Sequence, residues 1–300
     1  MISILILTKN EEQNLPACLE SVRWSDDVHV YDSHSDDRTV EIARSSGAHV
    51  TQRSFDNWSS HQNRGLANIP FRHPWVFYLD ADERVTGNLA ANLQSAVRDP
   101  GDRVAFRVCR RDFWGERWLR HVQTTSSYLR LFRPGKMHYE RLVNPVSIPS
   151  GPVGEISGYL DHFPFSKGMT HWLERHNSYS TLEARQILKN RAAHQDFSPR
   201  QAFFGKDFSE RRYHQKELFY RMPARPLLKF LFLYVAKRGF LDGREGFRYA
   251  MLQSFYEYMI ALKTKEISSL PDANAMDPQR ETAHRTADLK RVGVSPQPND

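Results

Sequence analysis

Asp80 and Asp82 stand two residues apart where the apolar run Trp75-Val76-Phe77 gives way to Tyr78-Leu79-Asp80-Ala81-Asp82-Glu83-Arg84. On an extended backbone, side chains at i and i+2 point the same way, so both carboxylates would face one spot. Two convergent carboxylates at the end of a buried strand suit a hard divalent cation, and such a cation suits a phosphate-bearing substrate. An arbitrary Asp-x-Asp is more often a solvated turn. The apolar strand before this one favours the metal reading.

Two further polar clusters follow apolar runs. Thr8-Lys9-Asn10-Glu11 ends the run Ile2–Leu7, and Asp32-Ser33-His34-Ser35-Asp36 ends Val28–Tyr31. A carboxylate at Asp32 can accept from a base N–H or a ribose hydroxyl. Asp36 is either a helix cap or a ligand. Thr8, Asn10 and Glu11 either contact a nucleotide or mark an ordinary strand-to-helix transition. Arg64, within Gln62-Asn63-Arg64, either offsets phosphate charge or is a solvated surface arginine.

The elements that must position these groups alternate in type. Continuous apolar strands are expected at Ile2–Leu7, Val28–Tyr31, His49–Gln52 and Trp75–Leu79. Helices are expected between them: one with Leu15, Cys18, Leu19 and Val22 on a single face, one stopped by Gly47, one over Trp58 to Ala67, and one from Gly87 to Val97. A β-α-β-α order argues for a mostly parallel sheet flanked by helices. Ligands of such sheets sit beyond the carboxyl ends of the strands, where the three polar clusters gather. From Arg103 to His162 the pattern changes to short strands and Gly/Pro turns. Helical spacing returns at Gly168 and recurs over Leu227–Ala236 and Phe247–Leu262. The expected organisation is a nucleotide-binding half over 1–105, a second half of the same domain over 106–167, a basic helical extension over 168–267 and a disordered tail over 268–300.

Composition narrows the functional classes. The 300 residues are 40% hydrophobic and 26% charged, which allows an ordinary core. Two cysteines, Cys18 and Cys109, fit no metal-ligand spacing or disulfide framework. The chain has no Gly-x-Gly-x-x-Gly, no P-loop, no Gly-x-Ser-x-Gly and no zinc-type histidine spacing. The opening apolar run is too short and too weakly flanked for a signal peptide. Net charge is +7, and residues 200–265 hold 14 Lys/Arg against 6 Asp/Glu, so the surplus is local. Within it, the stretch from Arg221 to Arg238 sets an apolar block between basic flanks. It reads either as a core helix or as a segment lying against anionic lipid. Nucleic acid is disfavoured because no recognition motif accompanies the charge.

Taken in order, Ser3–Glu12, Tyr31–Thr39, Gln62-Asn63-Arg64 and Leu79–Glu83 resemble the family 2 inverting glycosyltransferases, with the lipopolysaccharide-core β-glucosyltransferase branch nearest. A weaker likeness runs through Arg130-Leu131-Phe132, His162, Asn177–Ser180 and Gly239-Phe240-Leu241-Asp242-Gly243. The resemblance implies a GT-A fold, a nucleotide-sugar donor (a UDP-sugar foremost) and Mg²⁺ or Mn²⁺. It also implies that Thr8, Asn10, Glu11 and Asp32 hold the nucleoside, with Asn63 and Arg64 in the same donor pocket. Asp80 would serve ribose or metal, and Asp82 the metal and thereby catalysis. The expected acceptor is lipid-linked, a lipopolysaccharide or an exopolysaccharide, met peripherally at the inner face of a bacterial cytoplasmic membrane. One departure stands out. Where that branch has Val-His-Glu, this chain has Val143-Asn144-Pro145. Glu140 is the preferred substitute for the missing base, with Glu155 and Asp161 as neighbours. Two alternatives remain: a catalytically silent nucleotide-sugar-binding scaffold, and a sugar-nucleotide nucleotidyltransferase. The second is disfavoured by the absence of a Gly-rich, Arg-containing opening loop.

Overall fold

The computed structural model describes residues 1–123, 126–140, 145–192, 197–205, 208–222 and 224–269. The tail expected over 268–300 therefore lies outside the described residues from 270 onward, as do Val143 and Asn144. The chain divides into two units, Met1–Leu173 with Phe230–Met251, and Glu174–Lys229 with Leu252 onward.

The first unit opens with β1 (Ser3–Thr8), α1 (Leu15–Ser21), β2 (Val28–Asp32), α2 (Thr39–Ser45), β3 (His49–Gln52), α3 (Trp58–Asn68) and β4 (Val76–Asp80). It continues with β5 (Glu83–Val85), α4 (Gly87–Arg98), β6 (Ala105–Trp114), β7 (Arg117–Trp118), β8 (Ser126–Phe132), β9 (Met137–Glu140), β10 (Val146–Pro149) and β11 (Val153–His162). The main sheet runs β3-β2-β1-β4-β8-β6-β11-β5, with β7 on β6. The pairs among β3, β2, β1 and β4 are parallel, as are β6 and β11. Antiparallel β8 joins β4 to β6. β9 and β10 form a separate two-stranded sheet.

β1 is central, which is why Ser3-Ile-Leu-Ile-Leu reads as unbroken apolar sequence. Ile4 and Ile6 face one side with Leu15, Cys18, Phe77, Leu89 and Leu93. Leu5 faces the other with Tyr31, Val76, Tyr78 and Phe132. The four expected strands and four expected helices of the first hundred residues are all present, with ends moved by a residue or so. Gly47 ends α2 at φ 80°, a left-handed position that glycine fills without strain.

The order of the parallel strands decides where a ligand can bind. The chain lays β2 and β3 on one side of β1, then crosses to lay β4 on the other. That reversal leaves a crevice beyond the carboxyl ends of β1 and β4. Leu7 pairs with Asp80 there, and Thr8 pairs with Asp32.

The segment Phe230–Met251 closes this unit. A π-helical turn, Phe232–Ala236, leads to a 3-10 turn at Gly239–Asp242 and into α9 (Gly243–Ser269), labelled after the four helices that precede it: α5 (Gly168–Ala192), α6 (Pro199–Phe204), α7 (Phe208–Arg221) and α8 (Arg225–Leu231). Buried Asp242 accepts from the backbone N–H groups of His121 and Val122, at 2.8 and 2.7 Å, and pairs with the His121 ring at 2.7 Å. The stretch Gly239–Gly243 thus fastens this segment to the loop after β7.

The second unit is helical. Buried Arg225 pairs with Glu257 at 3.6 Å, and Lys229 reaches the same carboxylate at 4.0 Å. The Lys263 ammonium donates to the carbonyl of Asn177 at 2.6 Å. Basic residues of the 221–238 stretch therefore divide: Arg225 and Lys229 are engaged by Glu257, whereas Arg238 is exposed. No helix among the described residues is long and apolar enough to cross a membrane.

Candidate active site

The loops after β1 and β2 are stitched together. Asn10 sits at φ 54°, a conformation asparagine tolerates better than most side chains. Its N–H donates to the Ser35 hydroxyl at 2.8 Å, and its side-chain oxygen accepts from the Asp36 N–H at 2.9 Å. The Glu11 N–H donates to the Thr39 hydroxyl at 2.7 Å. Glu11 accepts from Asn14 at 2.8 Å and pairs with Lys167. Burial raises the Glu11 carboxyl above its ordinary pKa despite Lys167 and Asn14, which act the other way.

Asp32 lies beneath these loops and is wholly buried. It accepts from the Thr8 hydroxyl at 2.9 Å, the Ser35 N–H at 2.9 Å, the Gln52 amide at 3.0 Å and the Ser35 hydroxyl. Burial alone would raise its pKa, but these donors outweigh burial and hold the carboxyl below the usual range. Four protein donors make Asp32 the organiser of the β1 and β2 loops in this structure.

The backbone at Asp80 differs from the extended path expected of Asp-x-Asp. β4 ends at Asp80, Ala81 and Asp82 form a turn, and β5 starts at Glu83. Strand alternation therefore does not aim the two carboxylates. A network of ion pairs does. Asp80 accepts from the Tyr78 hydroxyl at 2.9 Å and from Arg130 at 3.0 Å. Arg130 also pairs with Glu83, which returns to accept from the Asp80 N–H at 3.0 Å. Arg110 lies 3.5 Å from Glu83 and 3.1 Å from Asp112. Asp112 pairs with His162 Nδ1, and His162 Nε2 lies 3.3 Å from Asp82. The chain of contacts thus runs from Asp80 round to Asp82.

The electrostatics follow from this wiring. Glu83 is fully buried, and burial raises its pKa against the pull of Arg130 and Arg110. Burial would lower the His162 pKa, but Asp82 and Asp112 together push it up to about 9. Near neutral pH the ring is charged, and with Arg84, whose guanidinium acts on Asp82 and Glu83, four carboxylates are matched by four cations. What the network leaves at its outer edge is the partly exposed carboxylate oxygens of Asp80 and Asp82.

Among the described residues no three His, Cys, Asp or Glu side chains are arranged to hold a metal ion unaided. Mg²⁺ or Mn²⁺ that arrives with a nucleotide needs only one or two protein carboxylates, with phosphate oxygens and water completing the shell. The hard oxygen donors of Asp80 and Asp82 fit that requirement.

The other expected residues are placed as follows. Asn63 spends its amide on β9, donating to the Tyr139 carbonyl at 2.9 Å and accepting from its N–H at 2.8 Å. It clamps α3 to the two-stranded sheet, a task distinct from the donor contact expected of it. Arg64, next on α3, is exposed. Glu140 ends β9, largely exposed, 3.3 Å from His138. Of its neighbours, Asp161 is held by Arg111 through two bonds of 2.7 and 2.8 Å. Glu155 is exposed on β11.

Motif and spacing do not single out Glu83, Arg110, Asp112 or Lys167. For three of them the signal is weak: Arg110 and Asp112 stand with Arg107 and Arg111 among the apolar residues of β6, and Glu83 opens the short strand Glu83–Val85. Lys167 carries no such signal, because its turn is solvated in appearance until Glu11 is brought against it.

Comparison with known proteins yields four findings. The model of the family described as glycosyl transferase family 2 matches residues 3–157. The chain is similar to the lipopolysaccharide core biosynthesis glycosyltransferase LpsC of Rhizobium meliloti (strain 1021), with 28% identity over 87% of this chain and 91% of that protein. It is also similar to the uncharacterized glycosyltransferase RT0209 of Rickettsia typhi, with 22% identity over 89% of this chain and 87% of that protein. Among solved structures, S. aureus TarS matches at a TM-score of 0.38 with 14% identity, over 84% of this chain and 55% of that one. This chain thus spans little more than half of TarS.

Proposed function

The chain belongs to glycosyl transferase family 2 and is a glycosyltransferase, and from that premise we propose that it moves a sugar from a nucleotide-sugar, a UDP-sugar foremost, to a lipid-linked or lipopolysaccharide glycan. The observation that carries this reading is the ring of ion pairs that fixes Asp80 and Asp82 at the switch point of the sheet. The similarity to a protein named for lipopolysaccharide core biosynthesis supports the class of acceptor.

In this reading the loops of Thr8, Asn10 and Glu11 form the nucleoside edge, and Asp32 keeps them in register. Asp80 and Asp82 would hold Mg²⁺ or Mn²⁺ with the diphosphate, and Arg64 is the exposed cation of α3 nearest in sequence to that role. When bound, the ion neutralises charge on the departing diphosphate. Arg130 and Arg110 keep Glu83 and Asp112 paired, so the carboxylates that face the donor need no rearrangement during the reaction. His162, paired with Asp82 at 3.3 Å, keeps that carboxylate in place. A carboxylate base takes the proton of the acceptor hydroxyl as that oxygen attacks the anomeric carbon on the face opposite the diphosphate. Glu140 is the assigned base: it is solvated, accessible to an acceptor and on a sheet separate from the donor edge.

Calorimetry tests this directly. A UDP-sugar should bind more tightly with Mn²⁺ than without, and Asp82→Ala should remove the metal dependence and lower transfer about 10³-fold, the scale of Lewis-acid stabilisation. Metal-independent donor binding that survives Asp82→Ala would overturn the proposal. The replacement of an expected Glu by Pro145 favours one second reading, a donor-binding protein without transfer. Metal-dependent binding with neither transfer nor donor hydrolysis would select it.

A further inference from the structure

The segment Phe230–Met251 buries only one of its faces. Leu233 and Ala250 pack with Leu119 and Val122 in a small core. The opposite face carries Phe232, Val235, Phe240, Leu241, Phe247 and Met251, each between 45% and 55% exposed. Single exposed apolar side chains are ordinary, but six within twenty residues are not.

Ring contacts join two of them, Phe240 and Phe247, through Tyr234 and Phe230. Tyr234 meets Phe240 and Phe247 edge-on at 6.2 and 5.6 Å, and Phe230 meets Tyr234 and Phe247 at 5.3 and 5.8 Å. The patch is also stiff. A Cβ at Gly246 would lie 2.0 Å from the Gly239 carbonyl oxygen, so the π-turn, the 3-10 turn and α9 are pressed together with no space for a side chain. The Asp242 contacts with His121 and Val122 anchor this knuckle to the catalytic unit.

Charge chooses the occupant. Lys237, Arg238, Arg244 and Arg248 belong to the same segment, and the Lys237 ammonium lies 5.8 Å over the Phe232 ring. The two acidic residues of the segment are engaged: Asp242 faces inward to His121, and Glu245 pairs with Arg248 at 3.6 Å. Aromatic and aliphatic side chains rimmed by cations suit the interface of an anionic bilayer, where apolar groups enter the acyl boundary and cations meet headgroups.

We propose that the knuckle Phe232–Met251 is a docking surface for an anionic phospholipid bilayer, holding the transferase peripherally on the membrane. The proposal deepens the reading of a lipid-linked acceptor, on which its biological sense rests. It also moves the contact from the apolar block of 221–238 to its second half plus the start of α9. Arg225 and Lys229 take no part.

Co-sedimentation of the full chain with phosphatidylcholine vesicles, with and without phosphatidylglycerol, tests it. Binding should require phosphatidylglycerol and weaken with salt. Arg244→Glu with Arg248→Glu should weaken binding about tenfold or more. Phe240→Ser with Leu241→Ser should do the same through lost apolar burial. Metal-dependent UDP-sugar binding, read by calorimetry, should persist in both variants, which shows that they fold and keeps this test apart from that of the donor site. Three results would overturn the proposal: no vesicle binding, binding indifferent to anionic lipid and both variants, or a concentration-dependent dimer split by Phe240→Ser/Leu241→Ser while vesicles stay bare.

Discussion

The carboxyl edge of β1, β2 and β4 and the two-stranded sheet of β9 and β10 are built to opposite rules. At the first, polar side chains arrive from several strands and satisfy one another: Asp32 accepts four hydrogen bonds, and Asp80, Glu83, Asp112 and Asp82 are joined through Arg130, Arg110 and His162. At the second, Glu140 extends toward solvent beside His138. A donor of fixed chemistry rewards preorganisation, since dipoles and charges already in place cost nothing to reorganise. In the proposed reading, the solvated Glu140 carboxylate reaches its working geometry only when an acceptor displaces water.

The largest expected effect breaks the wired side. Arg130→Met leaves buried Glu83 with only the longer Arg110 contact at 3.5 Å, and removal of one partner of a buried pair costs about 3–5 kcal/mol. Urea unfolding should show that loss, accompanied by weaker donor binding. A loss below about 1 kcal/mol would mean that the network is not the frame of the donor edge. Glu140→Gln probes the solvated side. Transfer should fall about 10²-fold or more, the usual worth of a general base. Stability and donor affinity should hold, because Glu140 bears on neither. If donor affinity falls as well, the two regions are not separable.

Asn63→Ala falls between the regions. It deletes both bonds to the Tyr139 backbone and leaves a buried strand end short of partners, at a cost of about 1–2 kcal/mol. If Asn63 instead contacts the donor, as its place beside Arg64 suggests, stability will barely change and donor affinity will drop. Parallel melting and calorimetry distinguish the two outcomes.

These regions also differ in how much of them can be read from sequence. The parallel strands announce themselves because a strand buried on both faces must be apolar throughout, and Ser3–Leu7 and Val76–Leu79 nearly are. The carboxyl-edge residues are visible for the same reason: a polar cluster that cuts off an apolar run marks the point where a buried strand reaches solvent. The turn at Ala81-Asp82 is not visible, since its cause is the Glu83 side chain bonding back to the Asp80 N–H, a local contact that periodicity ignores. Arg110, Asp112 and Arg130 reach the site from strands far along the chain, across antiparallel pairings that no local pattern encodes. The second unit is legible only in part. α6 and α7 are short of apolar periodicity and leave no helical signal, whereas α5 and α9 show themselves by their aromatic spacing.

The smallest effect sharpens the comparison from the far end of the donor strands. His29 on β2 is buried beside Asp27 at 3.0 Å, with the His49 and Phe71 rings at 5.1 and 5.2 Å. Burial lowers its pKa below the ordinary 6.5, against the opposing pull of Asp27. A histidine with a depressed folded pKa is neutral in the native state while the unfolded chain takes up its proton. Its contribution is therefore complete above pH 6.5 and is lost as pH falls from there through the folded pKa. Asp27 is also lowered. Burial would raise it, but bonds from Ser3, the Arg72 N–H and His29 prevail, so its contribution disappears only below the ordinary 3.8. Wild-type stability should then decline in two separate windows on acidification. His29→Gln should flatten the upper one, by about 1 kcal/mol or less, and leave the lower one in place. Because Asp27 and His29 lie at the opposite end of the strands from Thr8, Asp32 and Asp80, donor affinity at neutral pH should not change. A change there would mean that the wiring of the donor edge extends the full length of β1 and β2 and is not confined to their carboxyl ends.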